Sequence, residues 1–357
     1  MLKFCSNDAS GFLRRLSITR LTCAVMKGGA PVPALYKFRG GKDKRELVSE
    51  LANLVLPCVC TLNSRTFCIM STYSEESFDS DFYQKNRPTY PESLYEAIKS
   101  YHDGVSEIAI DIGCGTGIST FPLLRYFSKV FGLDPSPTML TPANKCKEDL
   151  KPEDRSRIEF KVCAAEKLST LFNEDSIDIV VGAESIHWVD HRRFFEEAHR
   201  VLRPHGTIAY WFYVEPIFLD FPEANEIYEK YVYEDPAYMG PLWKPGKEYL
   251  RLFGETIRIP DDKFYEIKKH IYRPLKSEHK TAYFEQRNSY TLGDFRRYLR
   301  SWSAYHTWQQ IHGGPDRDIA EMLIDELKLK CNWGEETTKL RVEWGTAYYM
   351  ARKRPTR

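Results

Sequence analysis

The residues best suited to bind a ligand lie together in one short stretch, Asp111-Ile-Gly-Cys-Gly-Thr-Gly117. Its three alternating glycines let the backbone approach a ligand closely and adopt conformations that a Cβ would forbid. A second acid, Asp134, ends the next apolar run along the chain. In an open α/β sheet, an acid at that point lies beside the glycine loop, where its carboxylate can accept hydrogen bonds from both hydroxyls of a ribose. The stretch therefore predicts a nucleoside-binding site.

Two classes of cofactor use this arrangement, and the spacing of the glycines separates them. A dinucleotide requires Gly-x-Gly-x-x-Gly, so that its pyrophosphate rests on a helix N-terminus. Counted from Gly113, the third glycine would fall at position 118, which is Ile118; here it is Gly117. The loop also offers no basic residue to a phosphate. We therefore predict S-adenosylmethionine, a nucleoside with an amino-acid tail. The alternative to a cofactor site is a glycine-rich turn of an α/β protein that binds no ligand.

Apolar runs and helical patterns alternate around this loop, as they do in parallel α/β sheets. Five runs are predicted to be strands: 107–111, 129–134, 158–166, 176–184 and 207–213, the third of them running into a loop by Glu166. A helix is expected from near Thr116, and an amphipathic helix over 192–202, ended by Arg203-Pro-His-Gly206. Short connections place the loops after the first four strands on one rim of the sheet. The pattern predicts a doubly wound, mostly parallel, Rossmann-like α/β fold with its site on that rim.

The overall composition argues against several classes of function. Of the 357 residues, 51 are basic and 50 acidic, which leaves a net charge of +1 and no global field to hold a polyanion. Nucleic-acid binding is therefore not expected, and no apolar run approaches the roughly 20 residues of a membrane span. The nine cysteines fit no disulfide framework or zinc site. We expect reduced thiols, no metal and a cytoplasmic location.

The first 69 residues differ from the rest of the chain in charge. They hold eleven basic residues against four acidic ones, and five of the nine cysteines. We predict that this extension is disordered and separate from the fold. It is either an over-extended gene model, with translation beginning at Met70, or a mitochondrial presequence, which the basic and acid-poor residues 11–20 resemble. We favour the gene model because the segment is longer than a usual presequence.

Motifs spread over about 70–354 resemble class I S-adenosylmethionine-dependent methyltransferases of the methyltransferase type 11 group. The resemblance is closest to fungal trans-aconitate methyltransferase and the related cantharidin-resistance methyltransferase. Besides 111–117, the matching segments are Phe82-Tyr83, Arg87-Pro-Thr-Tyr-Pro91, Gly132-Leu-Asp134, Ala165-Glu166, Ala183-Glu-Ser-Ile-His-Trp188, Leu202-Arg-Pro-His-Gly206, Trp211-Phe-Tyr-Val-Glu-Pro216, Ser301-Trp-Ser-Ala-Tyr305, and Val342-Glu-Trp344 with Tyr348. The resemblance implies methyl transfer to a small organic acid at a carboxylate.

The resemblance also implies which residues hold the cofactor. They are Asp111, Gly113, Gly115 and Gly117 at the methionine end, Asp134 at the ribose, and Ala165 and Glu166 at the adenine, with Cys114 and Pro135 completing the set. Many relatives have an Asp before the Ala-Glu pair, which bonds the adenine amino group, and here that position is Ala164. That hydrogen bond to the base is then missing or supplied by the backbone.

The predicted catalytic residues, His187 and Trp188, follow the fourth strand. His187 is the titratable residue of that loop and could orient a substrate oxygen or act as a base. Alternatively, the pair roofs the cofactor and packs on the following helix. A carboxylate nucleophile is ionised near neutral pH and needs no base.

Substrate binding is assigned to Tyr83, Arg87, Tyr90, Trp211 and Arg287. Arg87 and Arg287 match arginines in the relatives, and a guanidinium group can grip a carboxylate with two parallel hydrogen bonds. The crowded aromatic residues of 210–243 form either an apolar lid over a small molecule or the core of an added helical subdomain.

These observations predict three parts: the extension 1–69, an S-adenosylmethionine-binding domain over 70–213, and a helical, aromatic-rich extension over 214–357. The last part is expected to shape the substrate pocket and to complete the sheet near the C-terminus. The predicted protein is a monomer that methylates a small acid. The alternatives are a methyltransferase for another small molecule or a macromolecule, and a non-catalytic scaffold that binds S-adenosylmethionine.

Overall fold

The computed structural model describes Tyr73, Glu75 and residues 78–276, 286–335 and 338–355, with the backbone alone at 286–288. The predicted extension 1–69 and the side chain of Arg287 lie outside the described residues.

An eight-stranded sheet forms the centre of the described chain. Its strands are β1 (Ile108–Ile112), β2 (Lys129–Asp134), β3 (Ile158–Val162), β4 (Ile177–Ala183), β5 (Leu202–Phe218), β6 (Phe264–Tyr272), β7 (Gln286–Thr291) and β8 (Lys339–Lys353). The spatial order is β3-β2-β1-β4-β5-β8-β6, and β7 also pairs with β8. β1 to β5 are parallel, whereas β8 runs antiparallel to β5, β6 and β7. The predicted doubly wound, mostly parallel fold is confirmed.

Helices cover the sheet and build the C-terminal region. They are α1 (Ser80–Asn86), α2 (Glu92–Tyr101), α3 (Pro137–Glu148), α4 (Pro152–Arg157), α5 (His191–Val201), α6 (Pro222–Glu229), α7 (Gly246–Arg251), α8 (Leu292–Arg300), α9 (Ser303–His312) and α10 (Ile319–Cys331). Several begin at a side-chain cap: Ser136, for example, accepts a hydrogen bond from the N–H of Met139, and Asp190 from that of Arg193.

Apolar side chains pack on both faces of the sheet and in the C-terminal region. Phe194 and Phe195 of α5 are buried on one face, and Leu94 and Ile98 of α2 on the other. The C-terminal region has its own cluster, in which α6, α8, α9 and α10 pack against β7 and β8. Most of the crowded aromatic residues of 210–243 are buried in these clusters, so they serve as core.

Two predicted elements differ from the structure. The helix expected from Thr116 is a short 3-10 turn at Phe121–Arg125, because Gly117 has φ +85° and Pro122 offers no N–H to a helix. The fifth strand extends beyond 207–213 in both directions. Its register with β4 shifts between Ile177 and Ile179, so the segment predicted to end the helix becomes an irregular start of β5. Beyond Tyr213, β8 supplies a partner up to Phe218.

The order of the strands fixes where a ligand can bind. The chain moves outward from β1 through β2 to β3, then crosses to β4 on the other side of β1. In such sheets the carboxyl ends of the strands at the reversal border a crevice that binds ligands. No helix in the described ranges is long and apolar enough to cross a membrane, and within those ranges no group of three or more His, Cys, Asp or Glu is placed to hold a metal.

Candidate active site

The glycine loop after β1 packs directly against the loop after β4. Gly113 has φ +56°, a left-handed conformation that favours glycine. A Cβ on Gly113 would lie 2.6 Å from the Cβ of Ser185. The crevice between β1 and β4 is therefore narrow at its base, and a side chain at this position would force the two loops apart.

Asp111 lies at the carboxyl end of β1 and is fully buried. Its Oδ2 accepts hydrogen bonds from Ser119 Oγ at 2.6 Å and from Thr120 Oγ1 at 2.7 Å. Its Oδ1 is buried and has no partner among the described residues. Burial raises the pKa of Asp111 to about 7, against the effect of the two hydroxyls. A buried carboxylate with an open acceptor suits a cationic or hydroxyl-bearing ligand.

Asp134 lies at the carboxyl end of β2 and joins that strand to the glycine loop. Its Oδ2 accepts a hydrogen bond from Gly115 N at 2.9 Å, and its Oδ1 from Ser136 N at 2.8 Å. Burial raises its pKa to about 6. Each oxygen of an ionised carboxylate can accept more than one hydrogen bond, so acceptor capacity remains for hydroxyls.

The other predicted cofactor residues occupy varied environments. Cys114 is buried, and its N–H donates to Leu133 O at 3.0 Å. Pro135 is exposed and Ala165 is buried. Glu166 Oε1 accepts a hydrogen bond from Asp190 N at 2.7 Å, so this side chain also fixes the start of α5.

His187 and Trp188 lie in the short turn Ile186–Trp188 that follows β4. His187 is buried, with its ring 4.8 Å from that of Trp188. Burial, with the charges of Lys247 and Arg87, holds the pKa of His187 well below its usual value. Its imidazole is therefore neutral at physiological pH and is better suited to orient a ligand than to take up a proton. Trp188 is 40% exposed and meets the Tyr73 ring edge to face at 6.2 Å.

Arg87 lies in a box of tyrosines. Its guanidinium carbon is 4.8 Å from the centre of the Tyr83 ring and 5.7 Å from that of Tyr298. It donates to Tyr213 Oη at 3.4 Å and to Ser301 O at 3.2 Å. Within the described ranges, no carboxylate forms an ion pair with it.

Tyr83 lies near both the predicted substrate residue Arg87 and the predicted cofactor residue Asp134. The charges of Arg87 and Asp134 both affect its pKa, which burial raises far above the usual value. Tyr90 and Trp211, also predicted to bind substrate, meet edge to face at 5.7 Å. Trp211 is fully buried in β5. The structure thus brings Tyr83, Arg87, Tyr90 and Trp211 to one region.

Arg287 is placed by its backbone alone. It lies in β7, in register with Glu343 of β8.

Comparison with known proteins assigns the chain to a family. It is 37% identical over 292 residues to the probable S-adenosylmethionine-dependent methyltransferase CRG1 of Saccharomyces cerevisiae, a match that covers 80% of this chain and 99% of the yeast protein. The chain belongs to the class I S-adenosylmethionine-dependent methyltransferases. Residues 110–210 of this methyltransferase match the family model described as "Methyltransferase domain".

Two further proteins are similar to this methyltransferase. A methyltransferase of Dictyostelium discoideum is 30% identical over 226 residues, covering 63% of this chain and 75% of that one. The solved structure of a "Putative Type II Methyltransferase" from Anaeromyxobacter dehalogenans is 25% identical, with a TM-score of 0.55, and covers 76% of this chain and 99% of that one.

The cofactor of this methyltransferase is S-adenosylmethionine, and the polar atoms of the rim fit it. Ten buried side-chain polar atoms lack a hydrogen-bond partner among the described residues, and six of them lie in or beside the rim. They are Arg87 Nε, Asp111 Oδ1, Thr116 Oγ1, Ser185 Oγ, His187 Nδ1 and Trp211 Nε1. Because unsatisfied buried polar groups are costly, their concentration indicates a polar ligand at this place. Asp111 and the glycine loop would hold the amino-acid tail, and Asp134 the ribose.

The methyltransferase site also contains residues that the sequence analysis did not single out. Ser119 and Thr120 hold Asp111, and Tyr213 meets Arg87. Glu184 follows β4 and accepts a hydrogen bond from Tyr213 N at 2.5 Å. Glu184 could have been predicted from the sequence, because it comes at the end of a buried strand as Asp111 and Asp134 do.

Proposed function

We propose that this methyltransferase transfers the methyl group of S-adenosylmethionine to a carboxylate of a small organic acid, of the trans-aconitate or cantharidin type. The observation that carries the proposal is Arg87, a cation enclosed by tyrosines with a buried Nε that lacks a partner. Removing such a charge from water is costly unless an anion compensates it. Since no described carboxylate forms an ion pair or a hydrogen bond with it, a carboxylate of the substrate is the compensating group.

The protein residues have a limited task in this reaction. The cofactor supplies an electrophilic methyl group, and a carboxylate nucleophile is already ionised near neutral pH. The site must hold the acid oxygen about 3 Å from the methyl carbon, in line with the bond that breaks, and exclude water. Arg87 would hold the acid, and the neutral His187 would orient one of its oxygens. Neither residue has to gain or lose a proton.

Kinetics of an arginine variant test the proposal. We expect Arg87→Met to raise KM for trans-aconitate about 10- to 100-fold, the cost of a charge-assisted hydrogen bond, while affinity for S-adenosylhomocysteine stays unchanged. The matched control is Arg192→Met, which removes an exposed arginine of α5, with a side chain 74% accessible. The triamide of the same acid serves as the neutral substrate control.

Four other results would each have a distinct meaning. Unchanged KM in Arg87→Met would remove Arg87 from the substrate site. A loss of affinity for S-adenosylhomocysteine would assign Arg87 to the carboxylate of the cofactor tail instead. Equal methylation of acid and triamide would contradict a carboxylate acceptor, and cofactor binding without turnover of any acid would favour a non-catalytic scaffold.

A further inference from the structure

Glu184 has an unusual backbone conformation for its residue type. It follows β4 directly and has φ +50°, a left-handed conformation that costs a residue other than glycine about 1–3 kcal/mol. Its N–H donates to Trp211 O at 3.0 Å, and its Oε1 accepts from Tyr213 N at 2.5 Å. Its Oε2 makes no hydrogen bond to any residue that the structure describes. The strained turn thus holds a carboxyl group with one oxygen fixed and the other available.

Charged and titratable groups surround Glu184 from several elements. They are Arg87 after α1, Lys247 of α7, Glu215 and Tyr213 of β5, and Tyr83 and Tyr90 near Arg87. Lys247 is already paired with Glu215 at 3.0 Å, and Glu215 also accepts hydrogen bonds from Tyr228 and Tyr233. Arg87 has no such partner in the described part of the chain. Tyr213 links Glu184 to this cation, since its N–H donates to Glu184 Oε1 and its Oη accepts a hydrogen bond from Arg87.

The protonation state of Glu184 follows from this environment. Burial raises its pKa to about 8, against the Tyr213 N–H and the charges of Lys247 and Arg87, which lower it. The carboxyl group is thus mostly neutral near pH 7 and can donate one O–H hydrogen bond. Because Oε1 accepts from Tyr213 N, the proton lies on Oε2.

We propose that Glu184 is a further substrate-contacting residue, whose protonated Oε2 donates a hydrogen bond to a carboxylate of the acid that Arg87 holds. The inference rests on the proposed function and names a second determinant of its specificity. A hydrogen bond from a carboxylic acid to a carboxylate is charge-assisted and short. Once Glu184 ionises, its negative charge repels the same substrate group. The pocket therefore accepts acids while Glu184 is protonated and rejects them when it is not.

A purely structural role is the competing explanation, since Glu184 also satisfies the N–H of Tyr213. Glu184→Gln separates the two roles. The amide oxygen of glutamine still accepts that N–H, and its NH2 group still donates to a substrate, but it does not titrate. A structural role predicts that kcat/KM of this variant follows that of the wild type at every pH.

The experiment measures kcat/KM for trans-aconitate from about pH 6.5 to about pH 9.5 with the full chain. We expect the wild type to lose activity about tenfold per pH unit above about pH 8, mostly through KM, as a single ionisation requires. Glu184→Gln should vary by less than about twofold over the same alkaline range. The matched control is Glu196→Gln on the exposed face of α5, which should follow the wild type.

A second measurement does not depend on turnover. Between its ordinary pKa of 4.5 and about 8, the folded state binds a proton at Glu184 that the unfolded state has released. The wild type should therefore lose stability relative to Glu184→Gln as pH rises through that window. Unfolding temperatures of the two proteins across the window report this difference.

The outcomes separate this inference from the proposed function. If the wild type methylates trans-aconitate and Glu184→Gln keeps the alkaline fall, the role of Glu184 is wrong and the proposed function stands. A flat wild-type profile overturns the role even if the variant does not fold. Identical pH dependence of unfolding in the two folded proteins overturns it as well. If the wild type methylates no acid at any pH, both proposals are wrong.

Discussion

At the scale of single residues, the site contains carboxyl groups that cost the folded protein stability. Asp111 is fully buried, and its pKa rises from 3.8 to about 7. Between those values the folded state binds more protons than the unfolded state, so this residue lowers stability as pH rises through the window. Such a cost is typical of a group retained to bind a ligand rather than to support the fold.

We expect Asp111→Asn to separate these two effects. Asparagine keeps an oxygen for Ser119 and Thr120 but carries no charge. Above about pH 7 the variant should unfold at a higher temperature than the wild type. Near pH 4 it should show no such gain, because the wild type loses stability only where Asp111 is ionised in the unfolded state. Its affinity for S-adenosylhomocysteine should fall. Asp149→Asn, at an exposed position after α3, is the control. A variant that binds the ligand as tightly as the wild type would exclude Asp111 from the site.

Some residues of the site could be predicted from local sequence and others could not. Asp111 and Asp134 each end an apolar run beside a glycine motif, so their position follows from the pattern of parallel strands. The surroundings of Arg87 do not, because its partners Tyr213 and Ser301 lie 126 and 214 residues away. Glu184 follows the same rule as the two aspartates, but the left-handed turn that aims it is a property of the folded loop.

At the scale of elements, the site depends on contact between the loops after β1 and β4. Gly113→Ala should destabilise the protein by about 2–4 kcal/mol. Alanine is strained in a left-handed conformation, and its Cβ would overlap with Ser185. Gly314→Ala is the matched control: it has no atom within 4 Å of the added Cβ and should change stability by less than about 1 kcal/mol. Chemical denaturation of both variants measures the difference. Equal effects would show that the two loops are not in contact.

The elements themselves were predicted to different degrees. The five parallel strands follow from apolar runs, four of which lead into an acid and the fifth of which begins after Gly206. The prediction of a helix after the glycine loop was wrong, because Gly117 and Pro122 override the helical pattern of the residues between them. The full length of β5 was beyond a local pattern, since its last residues pair with β8, more than a hundred residues later in the chain.

At the scale of the whole molecule, the described residues between positions 68 and 357 form one compact unit. We expect a shortened chain beginning at Met70 to fold, bind S-adenosylhomocysteine as the full chain does, and unfold within about 2 °C of it, because the site and core described above lie after that residue. Circular dichroism and calorimetry measure both properties. A shortened chain that fails to fold would show that the first 69 residues belong to the fold.

The chemistry of the methylated product tests the proposed reaction most directly. With S-adenosylmethionine labelled in its methyl group and trans-aconitate as acceptor, we expect a labelled product that releases labelled methanol in mild base, as a methyl ester does. A labelled product that survives base, or label transferred only to the triamide, would contradict methylation of a carboxylate.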